Sequence, residues 1–89
     1  MARGHRRVKG FSSSRTAPVA KRAYVRLAAR VRELRKAAVL TQEAFAAKAG
    51  IDSKYVQDIE RGDANPTLAM LAVIAHALGL TLAEFLEGV

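Results

Sequence analysis

Four polar residues near the middle of the chain, Lys54, Gln57, Asp58 and Arg61, recur at intervals of one, three and four residues, with Val56 and Ile59 between them. On a helix this spacing gathers an amine, an amide, a carboxylate and a guanidinium on one side and the two β-branched apolar residues on the other. Such a set supplies hydrogen-bond donors and acceptors in a row, the equipment for reading another molecule's polar surface. Covalent or metal-based chemistry has little to draw on. The 89 residues hold no cysteine, which excludes a disulfide framework, a thiolate zinc site, an iron–sulfur cluster and a cysteine nucleophile. The two histidines, His5 and His76, lie far apart, with His76 expected to be exposed. The sequence has no glycine-rich phosphate loop, no Ser/His/Asp set at a strand end and no paired carboxylates beside a cleft. The expectation is therefore no catalytic residue, no cofactor and no metal.

The elements around this row follow from caps and periodicity. Leu27, Val31, Leu34 and Ala38 recur at helical spacing among Arg30, Arg32, Glu33 and Lys36, predicting a first helix over about 21–38. Thr41 is an N-cap with Glu43 in the first turn, and Phe45, Ala46 and Ala49 form the inward side of a short second helix that stops at Gly50. Asp52 caps a third helix running through Val56 and Ile59 to Gly62. Thr67 caps a fourth, with Leu68, Leu71, Ile74 or Ala75, and Leu78 on its apolar side and Gly79 at its end. Thr81 and Glu84 make a capping box for a fifth, containing Leu82, Phe85 and Leu86. No segment alternates with period two, so the fold class is all-α. The second and third helices, joined at Gly50, have the form of a helix-turn-helix: glycine for a turn that a Cβ would obstruct, small Ala46 for close approach of the axes, and Ile51, Val56 and Ile59 as anchors. A helix anchored in this way leaves its opposite face free to enter a major groove.

Charge is unevenly placed. The net charge is +7, and Arg3, Arg6, Arg7, Lys9, Arg15, Lys21 and Arg22 all precede residue 23 without an acid among them. From Ala23 onward eight basic residues meet eight acids. Residues 1–19, with Gly4, Gly10, Ser12, Ser13, Ser14 and Pro18, cannot bury enough apolar surface to offset the entropy of ordering and are expected to be a basic flexible arm. Residues 20–89 are expected to be one helical domain. The arm would attract a polyanion in a salt-dependent way. No apolar run approaches the ~20 residues of a membrane span, and the basic start has no apolar segment of a secretory signal behind it, so a cytoplasmic protein with no membrane partner is expected.

Residues about 27–86 resemble the Cro/repressor-type (XRE-like) helix-turn-helix family of bacterial and phage regulators. The carrying residues are Arg32-Glu33-Leu34-Arg35, Leu40-Thr41-Gln42-Glu43, Phe45-Ala46, Ala49-Gly50-Ile51 and Ile59-Glu60-Arg61-Gly62, then Asn65-Pro66-Thr67-Leu68, Ala77-Leu78-Gly79-Leu80 and Phe85-Leu86. The resemblance implies a compact five-helix, lambda-repressor-like DNA-binding domain. It implies that Gln42 contacts the DNA backbone and helps orient the recognition helix, that Ser53, Lys54, Gln57 and Asp58 face the groove, and that Arg35 and Glu60 form an internal ion pair. Arg61 reads as a phosphate contact or a solvated helix end, and Tyr55 as a packed, half-exposed ring. Asp58 is unusual on a face that meets phosphates; it would accept from a cytosine amino group, brace Lys54 or Arg61, or exclude wrong sequences, and bracing a neighbouring base reader is the favoured role. Val39 stands where the family usually has glycine, and a β-branched residue disfavours positive φ, so the first helix is expected to end with a different geometry.

The function implied is a sequence-specific transcriptional regulator, a repressor or autoregulator. It would bind a palindromic operator in double-stranded DNA as a homodimer through the loop before the fourth helix and the fifth helix. Within the family the chain is similar to small restriction–modification controller proteins. The alternative is an antitoxin-like protein whose main role is to bind and neutralise a partner protein. A bacterial or phage-encoded, nucleoid-associated location goes with either.

Overall fold

Four of the helix starts are built around a side chain that satisfies backbone amides at the helix entrance. Thr41, Thr67 and Thr81 accept from the amides of Ala44, Met70 and Glu84, and Asp52 accepts from that of Lys54, at 2.9–3.1 Å. At Thr81 the box closes, because the Glu84 carboxylate in turn accepts from the Thr81 amide at 2.8 Å. Each cap contributes on the order of 1 kcal/mol to a helix too short to persist alone. The computed structural model describes residues 16–89, which form α1 (Ala17–Ala37), α2 (Gln42–Ala49), α3 (Ser53–Glu60), α4 (Leu68–Ala77) and α5 (Leu82–Phe85), with no strand among them. The arm's residues 1–15, including Arg3, His5, Arg6, Arg7, Lys9 and Arg15, lie outside the described residues.

The core takes one large side chain from every helix. Val31 of α1, Phe45 of α2, Val56 of α3, Ile74 of α4 and Phe85 of α5 are the largest fully buried residues. Each stabilises the fold by roughly 1.5–3 kcal/mol. α1 packs on α3, α2 on α3 and α4, and α4 on α5. Arg30 adds a polar tie between α1 and α5: its Nε and Nη2 donate to the carbonyls of Phe85 and Glu84 at 2.9 and 2.8 Å, satisfying the C-terminal end of α5.

Three expectations are corrected. α1 begins at Ala17 instead of about residue 21, so Ala17, Pro18 and Val19 belong to the helix and not to the arm. Pro18 fits there because the first turn needs no amide donor and favours the φ that proline imposes. Leu68, expected on the inner side of α4, is 66% exposed, and the buried side of that helix is Ile74, Ala75 and Ala77. Val39 does not change the end of α1: it adopts φ +60°, the left-handed conformation a glycine would take. The amides of Val39 and Leu40 donate to the carbonyls of Lys36 and Arg35, closing the helix in the usual left-handed cap.

Candidate nucleic-acid interface

The turn between α2 and α3 is fixed by backbone conformation. Gly50 has φ +73°, and its amide donates to Ala47 while that of Ile51 donates to Ala46 at 2.9 Å. A Cβ at Gly50 would meet nothing within 4 Å, so the expected steric obstruction is corrected: the turn needs the left-handed φ, not the missing volume. Ala46 is buried at the joint and Ile51 is partly buried against the core.

α3 then presents two unlike sides. Val56 and Ile59 are buried, and Tyr55 is half-buried against the same core, which pushes its phenol pKa above the ordinary value through desolvation. Ser53, Lys54, Gln57, Asp58 and Arg61 lie on the other side, all at least partly exposed. Lys54 Nζ is 3.6 Å from Asp58 Oδ1, and Arg61 Nη2 donates to the same oxygen while its Nε donates to Asp63 at 3.3 Å. Asp58 thus sits between two cations, one on each side of it along the helix. The side chains of Ser53 and Gln57 make no hydrogen bond to any described residue.

The inner end of α3 carries a different charge group. Glu60 accepts from Arg35 Nε at 2.6 Å and Nη2 at 3.0 Å, a two-pronged pair with both side chains at most 10% exposed. Arg35 Nη1 also donates to the Leu40 carbonyl at 2.8 Å, and Gln42 Nε2 donates to Glu60 at 3.1 Å. Arg32 lies 3.7 Å from the carboxylate and donates to the Glu60 carbonyl at 3.0 Å. Burial alone would raise the Glu60 pKa, but hydrogen bonds from Arg35 and Gln42 and the charges of Arg35 and Arg32 outweigh it and hold the group below its ordinary value. The same hydrogen bond raises the Arg35 pKa against its own desolvation.

Residues 31–85 match the sequence family described as HTH_3: Helix-turn-helix. The chain belongs to this helix-turn-helix family. It is 40% identical over 65 residues to the HTH-type transcriptional regulator DdrOP3 of Deinococcus deserti, covering 73% of this chain and 50% of that protein. It is 43% identical over 51 residues to the immunity repressor protein of Bacillus phage phi105, covering 57% of this chain and 35% of the repressor. The chain thus spans half or less of the length of these two curated relatives. Among solved structures it is similar to the restriction-modification controller protein C.AhdI from Aeromonas hydrophila, at 39% identity and TM-score 0.67 over 70% of this chain and 94% of that one. An HTH_3 family transcriptional regulator from Vibrio cholerae aligns with TM-score 0.72 and 29% identity over 76% of this chain and 38% of its own.

Two of Glu60's partners escaped the sequence reading, which named Arg35 alone. Arg32 reaches α3 alongside Arg35, three residues on along the same side of α1, a spacing that marks both as neighbours of one partner. Gln42, read as contacting the DNA backbone and helping to orient the recognition helix, donates to Glu60, so one of its two amide protons is committed to the joint. Arg30 had no visible sequence partner, because its acceptors are backbone carbonyls 54 and 55 residues away.

Proposed function

We propose that this protein is a sequence-specific DNA-binding transcriptional regulator, a repressor or autoregulator, that inserts α3 into the major groove of each half of a palindromic operator. The observation that carries the reading is the two-sidedness of α3. Its inner side is anchored by Val56, Ile59 and the Arg35–Glu60 pair, while Ser53, Lys54, Gln57 and Asp58 stand together on the open side. Lys54 and Gln57 have the donors that base edges accept, and an Asp58 braced by Lys54 and Arg61 holds two cations in fixed positions beside them. Gln42, at the first turn of α2, retains a free amide proton and a helix N-terminus beside it for a backbone phosphate.

An eight-residue helix reads only a few base pairs, so discrimination calls for two half-sites and hence a dimer. The pairing surface, expected at the loop before α4 and at α5, is extended in this proposal to α4 itself, where Leu68 is 66% and Val73 41% exposed and the helix Leu68–Ala77 contains no Asp, Glu, Lys or Arg. Partly buried Leu82, Leu86 and Val89 continue the apolar character toward the C-terminal end. The regulatory roles named for the relatives and the controller protein's similar fold agree with this reading.

The test is selection of bound sites from random double-stranded DNA. The expected product is an inverted repeat whose half-sites are spaced by about one helical turn, ~34–36 Å, or a multiple of it. Recovery of unenriched sequence would overturn the reading. Sedimentation of Val73→Asp beside the parent tests the dimer, with loss of association expected for the variant.

A further inference from the structure

The excess positive charge is not confined to the arm: it runs on along α1. That helix carries Lys21, Arg22, Arg26, Arg30, Arg32, Arg35 and Lys36 against a single acid, Glu33. Arg35 and Arg32 are committed to Glu60, and Arg30 to Glu33 and α5. Lys21, Arg22, Arg26 and Lys36 make no ion pair with any described residue, and all four are exposed. Three of them cluster in the first ten residues of α1, which lie outside the segment matching the family, so the family's own architecture gives them no task.

Their placement relative to α3 is set by two contacts. Arg32 and Arg35 tie the C-terminal half of α1 to the end of α3, and the chain leaving α3 passes α1 at Tyr24, whose carbonyl lies 3.9 Å from where a Gly62 Cβ would be. Lys21 and Arg32 are eleven residues apart, three full turns, so they lie in line on the side of α1 that meets α3. Lys36 extends this line, while Arg22 and Arg26, turned about 100° and 140° from Lys21, lie on the outer side of α1, away from its buried residues, and border an open groove with Pro18, Lys21 and Val25. The line spans roughly 22 Å at 1.5 Å per residue. A groove ~12 Å wide has a phosphate wall on each side of the inserted helix, so a cationic rod fastened to the end of α3 extends over the neighbouring backbone.

We propose that the N-terminal half of α1 is a second DNA-binding element, with Lys21, Arg22 and Arg26 binding the sugar–phosphate backbone outside the base pairs read by α3. The inference rests on the regulator reading above and adds a footprint that the helix-turn-helix alone does not make. The occupant is the flanking phosphate backbone because the surface is cationic and lacks an acid over two and a half turns. It therefore contributes affinity without sequence preference.

The experiment compares the full chain with its Lys21→Gln/Arg22→Gln/Arg26→Gln variant on three duplexes: the selected operator with long flanks, the operator trimmed to its half-sites, and a scrambled sequence. Salt is varied, and helix content is checked by circular dichroism, since these side chains make no ion pair that the fold depends on. Expected is a shallower slope of log affinity against log salt on the long operator, by ~0.9 for each phosphate that the variant no longer neutralises. The operator-to-scrambled ratio stays as in the parent, and the two proteins converge on the trimmed duplex. Equal slopes on the long operator, with the parent's preference intact, overturn this inference alone. No preference by the parent for operator over scrambled DNA overturns the regulator reading instead. Binding of anionic vesicles or a change of oligomeric state with unchanged DNA slopes would assign the cations elsewhere and also overturn it.

Discussion

Asp58 and Glu60 are two carboxylates two residues apart on one helix, and each is held by two arginine or lysine side chains, yet their surroundings make them opposites. The Glu60 side chain is 2% exposed and sits where α1, α2 and α3 meet; that of Asp58 is 29% exposed, between Lys54 and Arg61, whose side chains are 71% and 54% exposed. The buried pair has given up its hydration and is satisfied only by its partners, so removing one leaves a stranded charge. The outer pairs keep water as an alternative partner, and their mutual attraction is worth little to the fold. A shared chemistry therefore serves architecture at one position and leaves an adjustable surface at the other. The helix pitch does the sorting: a step of two residues turns the side chain through about 200°.

The sharpest way to break the comparison is Arg35→Met. It leaves Glu60 buried with only Gln42 and the half-exposed Arg32, 3.7 Å away, and should destabilise the fold by up to ~3–5 kcal/mol. Thermal unfolding by circular dichroism measures it, and adding Glu60→Leu should recover much of the loss because the stranded charge goes with it. A variant that melts like the parent but no longer binds DNA would move Arg35 from the joint to the interface. Acid sharpens the same point. The folded Glu60 pKa lies below its unfolded value, so its contribution is complete above about pH 4.3–4.5 and is lost as pH falls through the folded value. Glu60→Gln should show less of that loss of Tm below pH 4 than the parent.

Lys54→Ala probes the open side. It should leave Tm unchanged and weaken operator binding by ~1–3 kcal/mol if the amine reads a base edge, measured by titration against operator and scrambled duplex. A fall in Tm comparable to that of Arg35→Met would erase the distinction between the two sides.

How far these roles were legible beforehand depended on whether their partners were local. The caps at Thr41, Asp52, Thr67 and Thr81 are visible because donor and acceptor lie two or three residues apart. The polar row of α3 is visible because helical periodicity states which residues share a side. The Arg35–Glu60 pair was legible only through family resemblance, since nothing in a sequence joins residues 25 apart. Arg30 was illegible for a deeper reason, because a guanidinium aimed at backbone carbonyls leaves no mark on its partners' identities. Ala17–Val19 read as arm because glycine, serine and proline counts describe a window, whereas a helix start depends on where proline falls in the first turn. Leu68 read as core because it falls in helical register with Leu71, Ile74 or Ala75 and Leu78, and α4, apolar almost all round, offers only His76 to mark its outer side.

Val39→Gly tests how much the buried joint tolerates. Val39 holds φ +60°, where a β-branched residue is strained, and the strain persists because Arg35 grips the Leu40 carbonyl and Glu60 grips Arg35. The residue is 89% exposed, so little packing is lost with its side chain. Glycine removes the strain and should stabilise the folded chain by about 1 kcal/mol net of the added freedom of the unfolded state. Equal or lower stability, measured by urea unfolding, would show that the turn holds valine without strain.

The smallest expected effect belongs to Asp58→Asn, and it bears directly on the comparison. The charge removed is partly solvated, and Arg61 keeps Asp63 as a second partner, so stability should change by no more than ~0.5 kcal/mol. Binding should change in two directions at once. Losing a carboxylate that phosphates repel raises affinity for scrambled DNA, and Lys54 and Arg61, no longer drawn toward a common oxygen, are released to contact any backbone. Operator affinity should rise less, because the same release loosens the side chains that stand beside Gln57, and the operator-to-scrambled ratio should therefore fall. Titration of both duplexes at one salt concentration reads the ratio, and a Tm measured alongside reads the fold. A ratio that rises would mean that Asp58 hinders readout instead of bracing it, and a drop in Tm matching that of Arg35→Met would place both carboxylates of α3 in the architecture.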